Sequence, residues 1–341
     1  MLARLEQLSN LCGVSGDEGR VRAYIKQALA PLKLETHTDP LGNLILHRPG
    51  PGPRILACAH MDEVGMLVRG ILEDGTLAYD AKGIDPRCVV GKRVRVGESG
   101  LPGVIGAKAI HMQTEEEFAS VWEHRALYVD IGAKDKADAE ANAAVGDFIC
   151  FDTRFMRLGA LLSGKALDDR IGCAILMQLL QNTYACDFYA AFTVQEELGL
   201  RGAITAAYAV RPQLALVLEA TTANDLPGLR PDESVTRVGG GAAITMMDGV
   251  TMALPRMFFA LKAAAEQNGI PYQVRQGTRG GTDGGSIHTA LAGCPVGGIS
   301  VPCRYIHSPC GVASGEDIQA AYALAHAFLK EERFHEVLRH V

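Results

Sequence analysis

The residues best able to do chemistry in this chain are acids and histidines that follow apolar runs. In Phe188-Tyr-Ala-Ala-Phe-Thr-Val-Gln-Glu-Glu-Leu-Gly199, an apolar strand runs into two adjacent carboxylates, Glu196 and Glu197, and then into glycine. A strand buried on both faces reads as such a run, so the pair must sit where the strand leaves the sheet. Inside a strand, neighbours point to opposite faces. At its end the turn releases that rule, and both carboxylates can face the crevice beyond the carboxyl ends of the strands, where open α/β sheets bind ligands. Two like charges this close call for cations. His60, Asp168, Glu219 and His307 likewise fall just past apolar strands or at strand-to-helix junctions. Mixed carboxylate and imidazole donors suit zinc, cobalt or manganese. Two metals sharing one bridging carboxylate need two further ligands each and a free carboxylate as base, and the set supplies that number.

Each residue has a plainer reading when taken alone. His60 could be a hydrogen-bonded loop histidine, although Asp62, two residues on, could hold its other ring nitrogen. Asp168-Asp169-Arg170 could be a helix N-cap, and that reading is kept for Asp169. Glu219, closing Leu214-Ala-Leu-Val-Leu, could be a strand-end charge facing water, and His307 a loop histidine. Their joint placement at strand ends of one sheet is what chance does not explain.

The elements that must position these residues follow from the hydrophobic pattern. The helix period at Leu2, Leu5, Leu8 and Leu11 starts the chain, and Ser15-Gly-Asp-Glu18 reads as a capping box before a second helix ending at Pro31. Two short strands, Leu32 to Thr38 and Leu44 to His47, flank the turn Asp39-Pro-Leu-Gly-Asn43, and a buried strand, Arg54 to Ala59, leads to His60. From about Val68 to Ser163 short Val-, Ile- and Tyr-rich runs alternate with turns, which predicts a small β-barrel-like domain inserted into the main one. Beyond Gly164 helix and strand alternate, predicting a largely parallel sheet. The expected fold is α/β: a three-layer αβα domain (1–67 and 164–341) with an inserted small β-barrel-like domain (68–163).

Composition narrows the function. The 341 residues allow two domains, and 48% apolar with 21% charged residues is ordinary for a globular protein. With 33 Lys plus Arg against 39 Asp plus Glu and no basic patch, nucleic acid is not expected as a partner. No apolar run is long enough to span a bilayer, and no signal peptide is read at the N-terminus, so neither a membrane nor an export route is expected. The nine cysteines form an odd count without a Cys-x-x-Cys pair and are read as buried thiols of a cytoplasmic protein rather than as disulfides or zinc ligands.

As a set the motifs resemble the cytosolic dimetal aminopeptidases of the TET and FrvX type. The matching stretches are Ala59-His-Met-Asp-Glu-Val-Gly65, Gly103 to His111, Tyr128 to Gly132, Gly164-Lys-Ala-Leu-Asp-Asp-Arg170, Glu196-Glu-Leu-Gly-Leu-Arg-Gly202, Gly281-Thr-Asp-Gly284 and Arg304-Tyr-Ile-His-Ser-Pro309. They stand in family order along nearly the whole chain. The resemblance implies that Asp168 bridges two divalent metals, zinc foremost, with Glu197 and His307 completing one site and His60 and Glu219 the other. It implies Glu196 as general base toward a metal-activated water, Asp62 as the residue orienting His60, and a cis bond after Asp168. It places the loop with Thr282 and Asp283 in the wall of a substrate pocket. Short peptides would be the substrates, and the inserted domain would mediate homo-oligomer contacts, leading to a tetrahedral dodecamer.

One position departs from the pattern. Glu219 stands where these aminopeptidases usually have Asp and where related dimetal carboxypeptidases and deacylases often have Glu, which leaves a carboxypeptidase or N-acyl amino acid deacylase as the alternative activity. A glycosidase fits poorly, since adjacent carboxylates beside histidines do not flank a bond from opposite sides. A non-catalytic scaffold protein predicts a missing ligand or base, and none is missing.

Overall fold

The computed structural model of the chain describes residues 1–230 and 233–339. Pro231 and Asp232, within the expected Gly/Pro-rich loop, and the last two positions of the expected catalytic segment lie outside the described residues.

Helices α1 (Leu2–Asn10) and α2 (Gly19–Leu29) open the chain, followed by β1 (Glu35–Thr38), β2 (Leu44–Arg48) and β3 (Arg54–His60). The strands β4 (Met66–Ile71), β5 (Leu77–Ala81), β6 (Arg93–Val96), β7 (Leu101–Gly106), β8 (Tyr128–Asp130) and β9 (Phe148–Phe151) form a closed barrel in the order β4-β5-β8-β7-β6-β9. Short helices α3 (Glu115–Ala119) and α4 (Lys136–Glu140) lie in its connections. Inward residues of alternating strands, among them Val68, Tyr79, Val94, Ile105, Val129 and Ile149, fill it.

The chain then returns through β10 (Met156–Leu158) and β11 (Leu161–Gly164) to α5 (Leu167–Leu179), β12 (Asp187–Thr193), α6 (Arg201–Val210) and β13 (Leu214–Thr222). It ends with β14 (Ala242–Thr245), α7 (Pro255–Gln267), β15 (Tyr272–Val274), α8 (Gly284–His288), β16 (Val296–Arg304), β17 (Gly311–Ser314), α9 (Gly315–Lys330) and α10 (Phe334–Leu338). The 11-stranded sheet runs β1-β2-β12-β3-β13-β16-β17-β11-β10, with β14 and β15 attached beside β16.

Its middle is parallel: β12, β3, β13 and β16 run together, so their carboxyl ends share one edge. The flanking pairs are antiparallel, which makes the sheet mixed rather than largely parallel. Strand alternation sends Ile55, Ala57 and Ala59 to the face packed by α1, α5, α7 and α9, and Leu56 and Cys58 to the face packed by α6 and α8. Ala203, Ala206 and Ala207 let α6 lie close on that second face. The result is the expected three layers.

Four expectations are corrected. The hairpin β10–β11 pairs with β17 in the large sheet, so 156–163 belongs to the main body and the barrel strands end at Phe151, because β17 offers an open edge that the returning chain covers. The capping box at Ser15 does not form: Ser15 Oγ donates to Asp62 Oδ2 at 2.6 Å, and Glu18 accepts from the amides of Gly16 and Gln195. The first strand starts at Glu35, after a 3-10 turn over Ala30–Leu32. Cys12 and Cys150 form a disulfide, their Cα atoms 5.8 Å apart, because folding brings the end of α1 against β9 across 138 residues, a proximity no spacing shows; seven cysteines are free.

Barrel and main body meet over a buried ionic group. Glu63 receives Lys165 Nζ at 2.7 and 2.8 Å and Arg170 Nη2 at 3.1 Å, and Arg170 also donates to the carbonyls of Leu8 and Met61. All three side chains are buried, and burial pulls Lys165 down to about 8 against the opposing charge of Glu63. Removing one member of such a group strands the others, at a cost of about 3–5 kcal/mol. Glu63→Ala is therefore expected to lower unfolding free energy by that amount in urea denaturation. A loss under about 1 kcal/mol would show that the charges reorganise or hydrate freely.

Candidate active site

The parallel strands deliver the expected residues to one place. His60 is the last residue of β3 and pairs in register with Thr193, the last residue of β12. The chain then turns at Gln195, whose φ of 53° lies in the left-handed region, and presents Glu196 and Glu197. Gly202 is required behind this turn, since a Cβ there would stand 2.4 Å from both Val194 O and Asn43 Oδ1. Asp168 lies in a non-helical kink at the start of α5, and the bond to Asp169 is cis, as the resemblance implied. Glu219 lies inside β13 rather than at its end: β13 continues to Thr222 because it keeps pairing with β16, where Glu219 faces Ser300. His307 follows β16 in a loop.

Asp168 stands between two imidazoles. Its Oδ1 is 3.2 Å from His60 Nε2, and its Oδ2 is 3.5 Å from His307 Nε2. His307 Nε2 is also 3.1 Å from Glu197 Oε2, and His60 Nε2 is 3.6 Å from Glu219 Oε2 and 4.0 Å from Glu196 Oε2. His60 Nδ1 lies 3.1 Å from the carbonyl of Asp62, a pure acceptor, which places the proton of the neutral ring on Nδ1 and the lone pair of Nε2 toward the carboxylates. The Asp62 carboxylate is 3.4 Å from the same Nδ1. It does more than face the histidine: Oδ1 accepts from Glu196 N at 3.0 Å and Oδ2 from Glu197 N at 3.2 Å. Asp62 thus ties the turn carrying both glutamates to the end of β3, and burial, which would raise it, is outweighed by His60, Ser15 and the Glu196 amide, leaving it below its ordinary value.

The electrostatics are those of an anionic cluster short of positive charge. Burial pushes Glu196 up to about 9, with Asp283 and Glu197 adding to the effect and His60 opposing it. Burial and the charge of Asp169 carry Glu219 well above its ordinary value. His307 is raised to about 11, because Asp168 and Glu197 overcome the penalty of burial. Two oxygens carry the same message: Glu219 Oε2 and Asp169 Oδ2 are buried without a hydrogen-bond partner. Orphaned buried acceptors call for an explanation. His60, Asp168 and Glu197 offer ligand atoms within 4.8 Å of one another, as do His60, Asp169 and Glu219, so divalent cations fit the donor set.

Asp169 is the residue that sequence reasoning half saw. Its Oδ1 accepts from Gly172 N at 2.8 Å, the expected helix cap, but its other oxygen turns into the cluster, which no local pattern announces. Ser15 was missed outright. Of the two loop residues expected in a pocket wall, Thr282 lines the cavity. Asp283 does not: it is buried, with Oδ2 accepting from Thr193 Oγ1 at 2.5 Å, because the preceding turn directs it inward under β12. The cavity itself measures about 590 Å3 and reaches from His60, Asp168, Glu196 and His307 to Arg275 and Thr282.

The turn before β2 braces the site from behind. Asp39 accepts from the amides of Leu41, Gly42 and Asn43 and from the side chains of Asn43 and Thr205, while Asn43 Oδ1 accepts from Val194 N at 3.0 Å. Burial alone would raise Asp39, but the hydrogen bonds from Thr205 and Asn43 win and hold it below its ordinary value. A depressed folded-state value means stabilisation that is complete above the unfolded-state value of about 3.9 and lost as pH falls through the folded one. The stability gap between the wild type and Asp39→Ala, followed by urea melts, should hold steady from about pH 7 to 5 and close below about pH 4. A gap unchanged at about pH 2 would count against the brace.

Fold and site together define a peptidase, a hydrolase with an αβα body and an acid-histidine cluster at the carboxyl ends of its strands. The chain belongs to the M42 glutamyl aminopeptidase family, whose profile matches residues 42–324. It is similar to a TET aminopeptidase structure from a marine-sediment Thaumarchaeota archaeon, with 34% identity, a TM-score of 0.96, and coverage of 100% of this chain and 98% of that one. It is also similar to the TET1 peptidase of Pyrococcus horikoshii, which can assemble into a tetrahedron or a large octahedral shell (31% identity, TM-score 0.88, 97% and 99% coverage). The glutamyl aminopeptidase of Lactococcus lactis is 30% identical over 342 residues, covering 96% of this chain and 95% of its own length. Among the described residues no helix is long and apolar enough to cross a membrane.

Proposed function

We propose that the chain is a metal-dependent aminopeptidase that removes the N-terminal residue of short peptides. The observation that carries this reading is Asp168 with one oxygen toward His60 and the other toward His307, at 3.2 and 3.5 Å. In this reading Asp168, Glu197 and His307 would hold one cation, and Asp168, His60 and Glu219 would hold the other. Zinc is the foremost candidate, with cobalt and manganese admitted by the same donors. When bound, such cations supply Lewis acidity, which lowers the pKa of water and polarises a carbonyl.

The chain's own residues do the rest. Glu196, outside the ligand set, takes the proton of the attacking water and passes it to the leaving nitrogen. Asp62 keeps Glu196 and His60 in register through the backbone bonds described above. Thr282 contributes to the substrate pocket. A carboxylate of the cluster pairs with the free α-ammonium of the peptide, and this confines cleavage to the first residue. Glu219 supports a second reading, an N-acyl amino acid deacylase or carboxypeptidase, because Glu at this position is common there.

Unblocked aminoacyl amides and their N-acetylated twins, offered to metal-stripped protein and again after adding zinc, cobalt or manganese, separate the two. Metal-restored cleavage of the unblocked set alone is expected. Cleavage of only the acylated set would replace this reading with the deacylase.

Assembly into a homo-oligomer, as far as a tetrahedral dodecamer, belongs to the same proposal. It is supported by the similarity to a TET1 peptidase that forms such shells and by the barrel, whose outer connections leave Ile110, Phe118 and Val121 67%, 66% and 60% exposed. A cytoplasmic setting is supported by the seven free cysteines, with the Cys12–Cys150 pair pulling the other way.

A further inference from the structure

The segment between α1 and α2, residues 11–18, is where the main body, the barrel and the cluster meet. Leu11 O accepts from Lys165 Nζ at 2.5 Å, Gly13 N donates to Glu63 Oε1 at 3.0 Å, and Gly13 O accepts from Glu63 N at 3.0 Å. Ser15 Oγ then reaches Asp62, and Glu18 Oε1 accepts from Gln195 N at 3.1 Å. The successive amides of Gln195, Glu196 and Glu197 are therefore held by Glu18 and Asp62, one carboxylate lying in this segment and the other braced by its hydroxyl. The position of the segment sets the position of the glutamate turn.

Cys12 fastens that segment to Cys150, in the barrel strand β9. The approach there is close: a Cβ on Gly65 would stand 2.4 Å from Val14 Cγ2 and 3.0 Å from Ile149 O. The other seven cysteines are free, five of them buried, so the pair is a disulfide in a chain otherwise built of thiols. Where thiols are kept reduced, a disulfide is typically transient and redox-responsive. Cys150 is buried and Cys12 partly exposed, so a small thiol or disulfide meets the Cys12 sulfur first.

We propose that Cys12 and Cys150 form a thiol–disulfide switch that, when closed, holds the segment 11–18 and through it the turn carrying Glu196 and Glu197. The oxidant is a low-molecular-weight disulfide, RSSR. The Cys12 thiolate attacks it, forming a mixed disulfide and releasing one thiol; the Cys150 thiolate then attacks the Cys12 sulfur and expels the second. Two cysteine sulfurs are oxidised, RSSR is reduced to two RSH, and the cysteine protons leave on those thiols. Excess RSH reverses both steps. The effect on turnover rests on the aminopeptidase reading; the effect on the turn does not.

The test equilibrates metal-loaded wild type, Cys12→Ser and Cys150→Ser at a series of ratios of a monothiol to its disulfide. Alkylation in denaturant followed by mass spectrometry should count seven free thiols in the closed wild type and all nine cysteines in the open one. Hydrogen exchange reads the turn: the amides of Gln195, Glu196 and Glu197 should exchange several-fold faster when the bond is open, and equally fast in both variants at every ratio. Exchange in α9, which the segment does not hold, should stay constant, as general loosening of the fold would not allow. With unblocked aminoacyl amides, kcat should fall several-fold on reduction, KM hold steady, and reoxidation restore the rate. The wild-type series stands alone if a variant misfolds. Seven free thiols at every ratio would make the bond a fixed staple, nine at every ratio would remove it, and equal exchange of the turn in the two states would sever it from the site; each overturns the switch. If neither state cleaves an unblocked amide, the aminopeptidase reading falls, and exchange still decides the switch.

Discussion

Glu196→Gln is expected to lower kcat by about two to four orders of magnitude while leaving metal content and affinity at wild-type levels. Gln keeps the shape of the side chain and cannot accept a proton from water. Glu196 is buried beside the cluster, with Oε2 4.0 Å from His60 Nε2, and its backbone amide is held by Asp62 independently of its side chain. Its removal should therefore leave the geometry around Asp168 intact. Metal analysis by mass spectrometry together with single-turnover kinetics checks both halves. Full activity would remove Glu196 from the role of base, and lost metal would make it a ligand instead.

Asp168→Asn is expected to act through the metals themselves. The two oxygens of Asp168 face different histidines, and an amide offers only one acceptor to that pair. Changes to partners that merely support a ligand cost about 10- to 100-fold in metal affinity, so loss of a ligand shared as proposed should cost at least about a hundredfold. Turnover should fall at least in proportion at limiting metal, and saturating zinc should not restore it fully. Calorimetric titration of stripped protein reads affinity and stoichiometry directly. Two cations bound with wild-type affinity would show that Asp168 does not join the sites. Chelation of the wild type should abolish turnover reversibly, the control for both variants.

These two effects are expected to exceed the others because, in the proposed reading, both residues act on the reacting centre. Glu63→Ala and Asp39→Ala act on the frame, where the cost is spread over folding free energy. Ser15, donating to Asp62 at 2.6 Å, lies between the two, since it touches the carboxylate that orders the glutamate turn.

The sequence by itself determined the layered body and most of the cluster. Apolar runs such as Arg54–His60 and Leu214–Thr222 are long because central parallel strands are buried on both faces, and burial leaves a polar residue few places except strand ends. That is why His60, Glu196, Glu197 and His307, at or just past strand ends, and Asp168, at a strand-to-helix junction, are legible in the sequence, whereas Glu219 ends an apolar run without ending its strand. Short-range rules reached their limit where a side chain had both a local and a distant partner on offer. Ser15 and Glu18 had the spacing of a capping box, but Asp62 and Gln195 took their hydrogen bonds.

Only the tertiary structure could decide which of these partners meet. Asp169 caps its helix with one oxygen and enters the cluster with the other; Asp283 turns inward to Thr193 while Thr282 faces the cavity; and β10–β11 joins the main sheet at β17. Cys12 reaches Cys150 across 138 residues, and Arg275 closes a pocket wall with carbonyls of its own loop and a hydroxyl from β13. The physical reason is the same in each case: periodicity reports which face of an element is buried, whereas contacts between elements depend on how the faces are brought together, and that is set by packing of the whole chain.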